Sequence, residues 1–347
     1  MSGPVLHVDL DVFAANIRSV RARTAPAELM LVVKDDAYGH GLDAIVRRAA
    51  REGVRWFGAF DVRESLRARH AAGPDARIFS WLTVGREEIA QALRADIDLG
   101  VGDATFLEDI ALVARAEQAT ARIHLKIDTG LHRNGIRPED WDGALRRARV
   151  LEDEGVLRLV GVWSHIAEAS DADDDEARTL FDRAFGAAEA AGFALEARHL
   201  SASAASHARP EFRYDLVRVG AFCYGVRSVG GPSGRELGIV PIAALRAPIT
   251  HVADHSATLG VGSLHGLPSA LAPRAALEVD GTARRIAEIA LVHTVIELPP
   301  GAKIGDEVTV FGDGAASATD LAEAIGTVGE EILVRISPLI PRNYRGL

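Results

Sequence analysis

Apolar and polar positions alternate in a regular order over the first two thirds of the chain. Short apolar runs are typical of buried strands, and the longer segments between them repeat their apolar residues at helical spacing. The predicted strands are Val5–Leu10, Leu29–Lys34, Trp56–Phe60, Arg77–Leu82, Ile97–Val101, Arg122–Ile127, Leu157–Trp163, Leu195–Leu200 and Leu216–Val219. The predicted helices include Leu42–Arg51, Glu87–Leu93, Ala111–Ala119 and Asp175–Ala191. This repeated alternation predicts an α/β fold, a (β/α)8 TIM-type barrel of parallel strands.

The pattern changes after Tyr224, where glycine and proline become frequent and helical periodicity fades. The predicted strands of this part are Ile249–Val252, Ala257–Val261, Ile286–Ile296 and Glu307–Phe311, with one helix at Ala318–Ile325. We therefore expect a barrel domain over residues 1–230 and a smaller, β-rich C-terminal domain over residues 231–347.

Composition narrows the class of protein. A hydrophobic content of 48% with 25% charged residues is ordinary for a globular protein, and the net charge of −10 argues against a nucleic-acid partner. The N-terminus has no targeting pattern and no apolar span reaches membrane length, so we expect a cytoplasmic protein without a membrane partner. The single cysteine, Cys223, excludes an internal disulfide and a multi-cysteine metal site, and no metal is expected.

The first candidate for chemistry is Lys34, which ends the apolar run Leu29–Lys34. Barrels of this class place their chemistry at the carboxyl ends of their strands. A lysine there can be partly removed from water and act as a nucleophile that forms a Schiff base. Spacing alone leaves open that Lys34 is an ordinary solvated residue.

The residues around Lys34 carry a family resemblance. The stretch from residue 32 to residue 41 reads Val-Val-Lys-Asp-Asp-Ala-Tyr-Gly-His-Gly and closely resembles the cofactor-lysine motif of alanine racemases, which are fold-type III pyridoxal-phosphate enzymes. The resemblance implies that Lys34 binds pyridoxal 5'-phosphate covalently and that Tyr38 helps to hold its phosphate. Asp35 and Asp36 replace the usual Ala-Asn and add negative charge beside the lysine.

A second motif, Asp-Thr-Gly-Leu-His-Arg-Asn-Gly over residues 128–135, resembles the same family. It implies that Arg133 contacts the phenolic oxygen of the cofactor and the carboxylate of the substrate, since a planar guanidinium binds a carboxylate through two parallel hydrogen bonds. Lys126 stands where the resemblance implies a lysine that orients this arginine, and its carbamylation stays open. The alternative is an ion pair at the barrel rim.

Two further motifs follow in the order of the family. Ser-His-Ile-Ala after Trp163 resembles Ser-His-Phe-Ala and implies that His165 lies against the pyridine ring. The stretch from His199 to residue 205 resembles His-x-Ala-Asn-Ser-Ala-Ala and places Ser203 at the phosphate, although Ser201 and Ala202 replace the usual Ala-Asn.

The resemblance then reaches the residues that set the mechanism. Val-Arg-Val-Gly over residues 217–220 resembles Val-Arg-Pro-Gly, and it implies that Arg218 faces the pyridine nitrogen with support from His199. A permanently charged arginine keeps that nitrogen unprotonated, which favours racemisation over transamination. Gly220 is implied to offer its N–H to the phosphate, and Tyr344, in the closing motif, to complete the phosphate site.

The C-terminal half departs from the family at the second base. Racemisation needs a base on each face of the α-carbon, and the family supplies the second as a tyrosine from the partner subunit. The aligned residue here is Ser263, or Val261 in another register, and no Met-Asp pair occurs near 290–292, where the family has Ser-Met-Asp. His265 is the candidate replacement, because an imidazole titrates near neutral pH; the alternative is an ordinary loop histidine.

These residues predict a pyridoxal-phosphate-dependent isomerase, a racemase that acts through Lys34 at the α-carbon of a small amino acid. One alternative is decarboxylation, retro-aldol cleavage or one-face proton exchange, because the second base is missing. A less favoured alternative is a cofactor-binding protein without turnover. The resemblance also implies a head-to-tail homodimer with shared active sites, and the identity of the amino acid stays open.

Overall fold

A computed structural model describes residues 3–200 and 203–347. Its strands in chain order are β1 (Val5–Asp9), β2 (Glu28–Val32), β3 (Trp56–Ala59), β4 (Arg77–Ser80), β5 (Ile97–Val101), β6 (Ala121–Lys126), β7 (Leu157–Ser164), β8 (Ala197–Leu200), β9 (Leu216–Val219), β10 (Ala243–Val252), β11 (Ser256–Leu259), β12 (Ala276–Val279), β13 (Thr282–Ile289), β14 (Thr294–Glu297), β15 (Glu307–Phe311) and β16 (Arg342–Arg345).

The helical elements are labelled in the same way: α1 (Leu10–Thr24), α2 (Lys34–Tyr38), α3 (Leu42–Arg51), α4 (Val62–Ala72), α5 (Gly85–Arg94), α6 (Ala104–Glu117), α7 (Trp141–Asp153), α8 (Asp171–Ala190), α9 (Ser203–Ala208), α10 (Gly234–Leu237), α11 (Ala318–Ile325) and α12 (Gly329–Val334). The α2 element is a left-handed turn rather than an ordinary helix, because Asp35, Asp36 and Ala37 have φ values of 54–55°.

Contacts divide the chain into two compact units. Residues 20–34 and 49–220 form one, which we call the barrel unit. Residues up to 19, 35–48 and 221–347 form the other, which we call the β unit. The division differs from a single cut near residue 230, because the first strand and the turn after Lys34 belong with the C-terminal residues.

The barrel unit contains a nearly closed barrel of eight parallel strands, in the order β8-β7-β6-β5-β4-β3-β2-β9. The predicted (β/α)8 TIM-type fold is confirmed. Each strand is a short apolar run whose side chains are buried on both faces, as helices cover the outside of such a barrel. Val101 and Leu31, for example, are fully buried.

Large side chains fill the barrel interior, among them Met30, Phe79 and Trp163. Glycines on neighbouring strands give them room. A Cβ atom at Gly58 would lie 2.9 Å from the sulfur of Met30, and one at Gly100 would lie 3.0 Å from the Trp163 ring. The interior is therefore a packed core, with the strand ends left to carry chemistry.

The first predicted strand does not enter the barrel. In the β unit, β1 pairs antiparallel with β10 and parallel with β16, within a sheet ordered β12-β13-β14-β11-β10-β1-β16, while β15 pairs with β10. The reason is visible in the sequence, since polar His7 and Asp9 alternate with buried Leu6 and Val8. Such alternation is typical of a strand with one face toward solvent, unlike the doubly buried barrel strands.

One predicted strand is wrong. The residues predicted as one strand, Ile286–Ile296, form the end of β13, a turn at 290–293 and the start of β14. A hydrogen bond from the Ala290 N–H to the His293 carbonyl (2.9 Å) closes this turn. The turn residues Leu291 and Val292 are apolar, so the pattern of apolar and polar residues does not mark the boundary between the two strands. By contrast, Asp280-Gly281 forms a two-residue turn between β12 and β13 with both φ values positive, as this dipeptide favours.

Among the described residues, no helix is both long enough and apolar enough to cross a membrane.

Candidate active site

Several of the predicted site residues of the barrel unit lie at the carboxyl ends of its parallel strands. Lys34 follows β2, Lys126 ends β6 and His165 follows β7. Arg218 is the third residue of β9, and Gly220 comes directly after that strand. Because parallel strands end at the same rim of a barrel, these residues share the end at which such folds carry out chemistry.

Arg218 is held by oxygen and nitrogen acceptors around its guanidinium. Nη1 donates to His199 Nδ1 (2.8 Å) and to the His199 carbonyl (2.7 Å), and Nη2 donates to the Ser164 carbonyl (2.7 Å). His165 Nδ1 lies 3.4 Å from Nη2. Burial and the charge of Arg133 lower the pKa of Arg218 to about 9, so the guanidinium stays charged at neutral pH. The predicted neighbours Arg218, His165 and His199 are thus brought together.

Lys126 is buried beside the same group. Its Nζ lies 4.6 Å from the centre of the Trp163 ring, and the Arg218 guanidinium lies 5.3 Å from that ring. Burial, followed by the charges of Arg218 and Arg133, lowers the pKa of Lys126 to about 8. A substantial fraction of its amino groups is therefore neutral near pH 8, the form that can react with carbon dioxide.

Arg133 lies on an exposed loop that leaves the end of β6 and returns at Ile136. Asp128 organises the start of this loop by accepting hydrogen bonds from the N–H groups of Gly130 and His132 (both 3.1 Å). The charge of Arg133 lowers the pKa of both Lys126 and Arg218.

Ser203 begins α9, close behind β8. Ser201 and Ala202, the departures noted in this motif, lie outside the described residues. Glu168 was missed by the sequence analysis: its carboxylate accepts the Ala205 N–H (2.8 Å) in the first turn of α9, and partial removal from water raises its pKa. Its position, three residues after His165, was the available signal.

The sequence analysis also missed two polar residues inside the barrel, His124 and Asp98, which are linked to His199. His199 Nε2 is 2.9 Å from His124 Nδ1, and His124 Nε2 is 3.3 Å from Asp98 Oδ2. His124, His199 and Asp98 are completely buried. The signal was a charged or imidazole side chain inside an otherwise apolar strand, as in Ile97-Asp98-Leu99. Burial lowers the pKa of His199 well below its ordinary value, so its ring is neutral.

The β unit holds the other predicted phosphate residues. Tyr38 is the last residue of the left-handed turn, is 6% exposed, and packs on Tyr224 with ring centres 4.9 Å apart. His40 Nδ1 donates to the Ala37 carbonyl (2.8 Å), which braces this turn. Burial lowers the pKa of His40 to about 4, so it braces the turn as a neutral ring.

Tyr344 lies on β16, and its hydroxyl donates to the His40 carbonyl (3.0 Å). Gly41 makes this approach feasible, since a Cβ atom there would lie only 1.9 Å from the Tyr344 oxygen. Tyr38 and Tyr344 are thus both tied to the short segment that follows Lys34 in the chain.

Ser263 and His265 lie in one short 3-10 turn of the β unit. His265 Nδ1 accepts the Gly262 N–H (3.0 Å), so only Nε2 is left for exchange with a ligand. Leu264 and Leu291 are exposed neighbours, joined by a hydrogen bond from the Leu264 N–H to the Leu291 carbonyl (2.9 Å). No phenol occupies this turn, whose side chains are a serine, a leucine and a histidine.

The charges of the barrel rim fit an anionic ligand. The charge of Arg133 lowers the pKa values of both Lys126 and Arg218, and the charge of Arg218 also lowers that of Lys126. A ligand with a phenolate, a phosphate or a carboxylate would lessen the repulsion among these positive charges. The donor set therefore suits pyridoxal phosphate together with the carboxylate of an amino acid.

Known proteins match this chain over nearly its whole length. The family model "Alanine racemase, N-terminal domain" matches residues 8–228, and "Alanine racemase, C-terminal domain" matches residues 246–344. The chain is 37% identical to alanine racemase of Beutenbergia cavernae, covering 98% of this chain and 97% of that protein. It is 35% identical to that of Thermobifida fusca, covering 98% and 97%.

Two solved structures are also similar. Alanine racemase from D-cycloserine-producing Streptomyces lavendulae gives a TM-score of 0.93 at 34% identity, with 100% of this chain and 98% of that chain covered. Alanine racemase from Streptomyces coelicolor A3(2) gives a TM-score of 0.95 at 32% identity, with 99% and 98% covered.

Proposed function

This chain belongs to the alanine racemase family, and we propose that it is a pyridoxal-phosphate-dependent enzyme that racemises a small amino acid. The observation that carries the proposal is the charged guanidinium of Arg218, fixed at the barrel rim by His199 and Ser164. A guanidinium is a much weaker acid than a protonated pyridine ring, so it donates a hydrogen bond to a ring nitrogen placed against it and keeps its own proton. That property favours return of a proton to the α-carbon over transamination.

The proposed cofactor contacts follow from the motifs that this chain shares with the family. Lys34 would hold pyridoxal phosphate covalently, His165 and Arg218 would contact its ring, and Tyr38, Ser203, Gly220 and Tyr344 would hold its phosphate. When bound, the cofactor withdraws electrons from the α-carbon and makes its proton acidic. Arg133 would bind the substrate carboxylate, with Lys126 orienting it from below.

The proton would move at two sites. Once the amino group of the substrate has replaced it on the cofactor, the freed Lys34 Nζ would remove the α-proton on one face of the substrate and return it there in the reverse direction. On the other face, His265 Nε2 or a water molecule would have to supply the proton, because Ser263 cannot replace a tyrosine as an acid. The hydrogen bond from Gly262 to Nδ1 restricts His265 to exchange through Nε2.

Proton exchange and configuration, measured together, test the proposal. L- and D-alanine and L- and D-serine are incubated with the protein and pyridoxal phosphate in deuterated buffer, and each sample is followed by NMR and by chiral chromatography. Exchange with inversion supports racemisation and makes His265 the next residue to vary. Absence of both exchange and inversion with every amino acid would overturn the proposal.

A second candidate function rests on the turn from Ser263 to His265, which lacks a phenol. With Lys34 as the only base, exchange on one face, decarboxylation or retro-aldol cleavage becomes the expected chemistry. In the same samples, deuterium incorporation with retained configuration supports this candidate. Release of carbon dioxide or of an aldehyde would identify which of the other two reactions occurs.

We also propose that the protein is a cytoplasmic homodimer with active sites shared between its two subunits. Support comes from Leu264, Leu291 and Val292, which lie together on the β unit and are 65%, 64% and 55% exposed. Exposed apolar side chains in one patch are typical of an interface. A partner subunit that covered them would also bring the 263–265 turn toward a second copy of the chain.

A further inference from the structure

A continuous row of polar side chains crosses the barrel interior, in which packing is otherwise largely apolar. It begins at Arg218 on β9, passes through His199 on β8 and His124 on β6, and ends at Asp98 on β5. His124 fits only because its neighbour on β7 is glycine, since a Cβ atom at Gly161 would lie 2.2 Å from His124 Nδ1. We call these four residues the barrel relay.

The hydrogen bonds of the barrel relay run in one direction. A guanidinium only donates, so His199 Nδ1 accepts from Arg218 and carries no proton. His199 therefore has its proton on Nε2, from which it donates to His124 Nδ1. His124 in turn has its proton on Nε2, and donates to the Asp98 carboxylate. Each neutral ring is thus restricted to the tautomer with the proton on Nε2.

The Asp98 carboxylate, at the far end of the barrel relay, accepts hydrogen bonds and donates none. Arg77 Nη2 donates to Asp98 Oδ2 (2.5 Å), and Arg122 Nε donates to Oδ1 (2.6 Å). Burial alone raises the pKa of Asp98, but the hydrogen bond from His124 and the charges of Arg77 and Arg122 lower it to about 2. The carboxylate therefore stays ionised inside the barrel and cannot offer a proton back to His124.

We propose that Asp98 and His124 are positioning residues for Arg218: the ionised carboxylate fixes both histidine tautomers, so that His199 always presents an acceptor to the guanidinium. If either ring turned to the other tautomer, an N–H would point at an N–H in the row. Arg218 would then lose one of its acceptors and turn away from its place at the rim. The expected effect on catalysis rests on the proposed function, whereas the assignment of the two histidine tautomers does not.

The tautomers are measured first, by NMR of the protein labelled with ¹⁵N in its histidine rings, with pyridoxal phosphate bound. His124 and His199 are assigned by the loss of signals in His124→Asn and His199→Asn. We expect both rings to show an unprotonated Nδ1 and a protonated Nε2. A proton on Nδ1 of either ring would overturn the proposal.

The role of the carboxylate is tested in Asp98→Asn, which changes charge without a large change in volume. Its amide can donate, so the direction of the relay is no longer fixed. We expect the ¹⁵N signal of His199 Nδ1 to shift, although His199 does not touch residue 98. The matched control is Glu196→Gln, which removes another acidic partner of Arg77 (2.9 Å) outside the relay and should leave that signal unchanged. An unchanged His199 signal in folded Asp98→Asn would contradict the proposal.

If Asp98→Asn fails to fold, His124→Asn provides the same test with the cluster of Asp98, Arg77 and Arg122 intact. In either variant we expect kcat to fall by about 10- to 100-fold with KM little changed, as for other displacements remote from the reacting atoms. Equal kinetics in Asp98→Asn, His124→Asn and Glu196→Gln would overturn the positioning role. Expected NMR results in a protein without racemase activity would instead refute the proposed function and leave the relay standing.

Discussion

At the scale of single residues, Lys34 is the position from which the proposed chemistry starts, and its attachment to the cofactor is directly testable. The chain contains only three lysines, Lys34, Lys126 and Lys303. Reduction of the protein with borohydride fixes a Schiff base as a stable adduct that mass spectrometry can place on a peptide. We expect the adduct on Lys34, its loss in Lys34→Ala, and its retention in the control Lys303→Ala. An adduct on Lys126 would refute the assignment.

Lys126 carries a prediction about pH. Burial and two neighbouring cations lower its pKa to about 8, from 10.5, so its ammonium form dominates below pH 8 and its neutral amine above. Carbon dioxide reacts only with the neutral amine. At constant dissolved ¹³CO₂, the carbamate signal in ¹³C NMR should therefore rise as the pH increases from about 7 to 9. Lys126→Met should abolish the signal; a signal of equal size at both pH values would show that burial does not control it.

Ser263 tests whether a missing phenol is all that separates this site from a two-base racemase. A positioned acid or base contributes roughly 10²- to 10⁴-fold, so Ser263→Tyr should raise alanine racemisation by at least about tenfold if the rest of the pocket is suitable. Ser263→Phe has the same bulk without the hydroxyl and should give no gain. Equal rates in the two folded variants would show that the pocket itself differs.

At the scale of elements, the left-handed turn after Lys34 has the clearest cost in conformational free energy. Asp35, Asp36, Ala37 and Tyr38 all have φ near +55°, a conformation that disfavours L-residues by about 1–2 kcal/mol each. Three backbone hydrogen bonds oppose this cost: the N–H groups of Gly39 (2.8 Å), His40 (3.1 Å) and Gly41 (3.0 Å) donate to carbonyls of the turn. The Leu42 N–H adds a bond to the Asp36 carboxylate (3.1 Å).

Asp35 is exposed, so its backbone conformation can be tested without opening a cavity. Glycine adopts positive φ without steric cost, and Asp35→Gly should raise the free energy of unfolding by about 1 kcal/mol. Urea denaturation measures the change. The control is Asp75→Gly at another exposed aspartate, whose φ is not positive and where no gain is expected. A loss of stability in Asp35→Gly would mean that its side-chain interactions outweigh the backbone strain.

At the scale of the whole molecule, the proposed homodimer predicts a mass of twice 37.0 kDa by light scattering. A charge placed in the exposed apolar patch should prevent association, because it would have to be buried without a partner. We expect Leu291→Glu to shift the protein to the monomer and to abolish turnover, and Leu112→Glu, at an exposed site on α6, to do neither. A fully active monomer would contradict shared active sites.

The sequence by itself determined the eight barrel strands, most of their bounds and the residues at their ends. Short apolar runs and helical spacing are local properties, and the motifs around Lys34, Arg133 and Arg218 occupy contiguous stretches. Only the tertiary structure decided that β1 leaves the barrel for β10 and β16, since strand pairing is a long-range choice. The turn at 290–293 was not predicted for a similar reason, because its apolar residues do not differ locally from those of a continuous strand.

The residues of the candidate site also divide into those that the sequence identified and those that only the tertiary structure revealed. Sequence motifs named Arg218 and His199, but not the route from them to Asp98, which is 120 residues away from Arg218 in the chain. Hydrogen bonds between strands depend on which side chains face the barrel interior at the same level. That condition is set by the closure of the barrel and by the space that Gly161 leaves for His124, and neither is a property of a local segment.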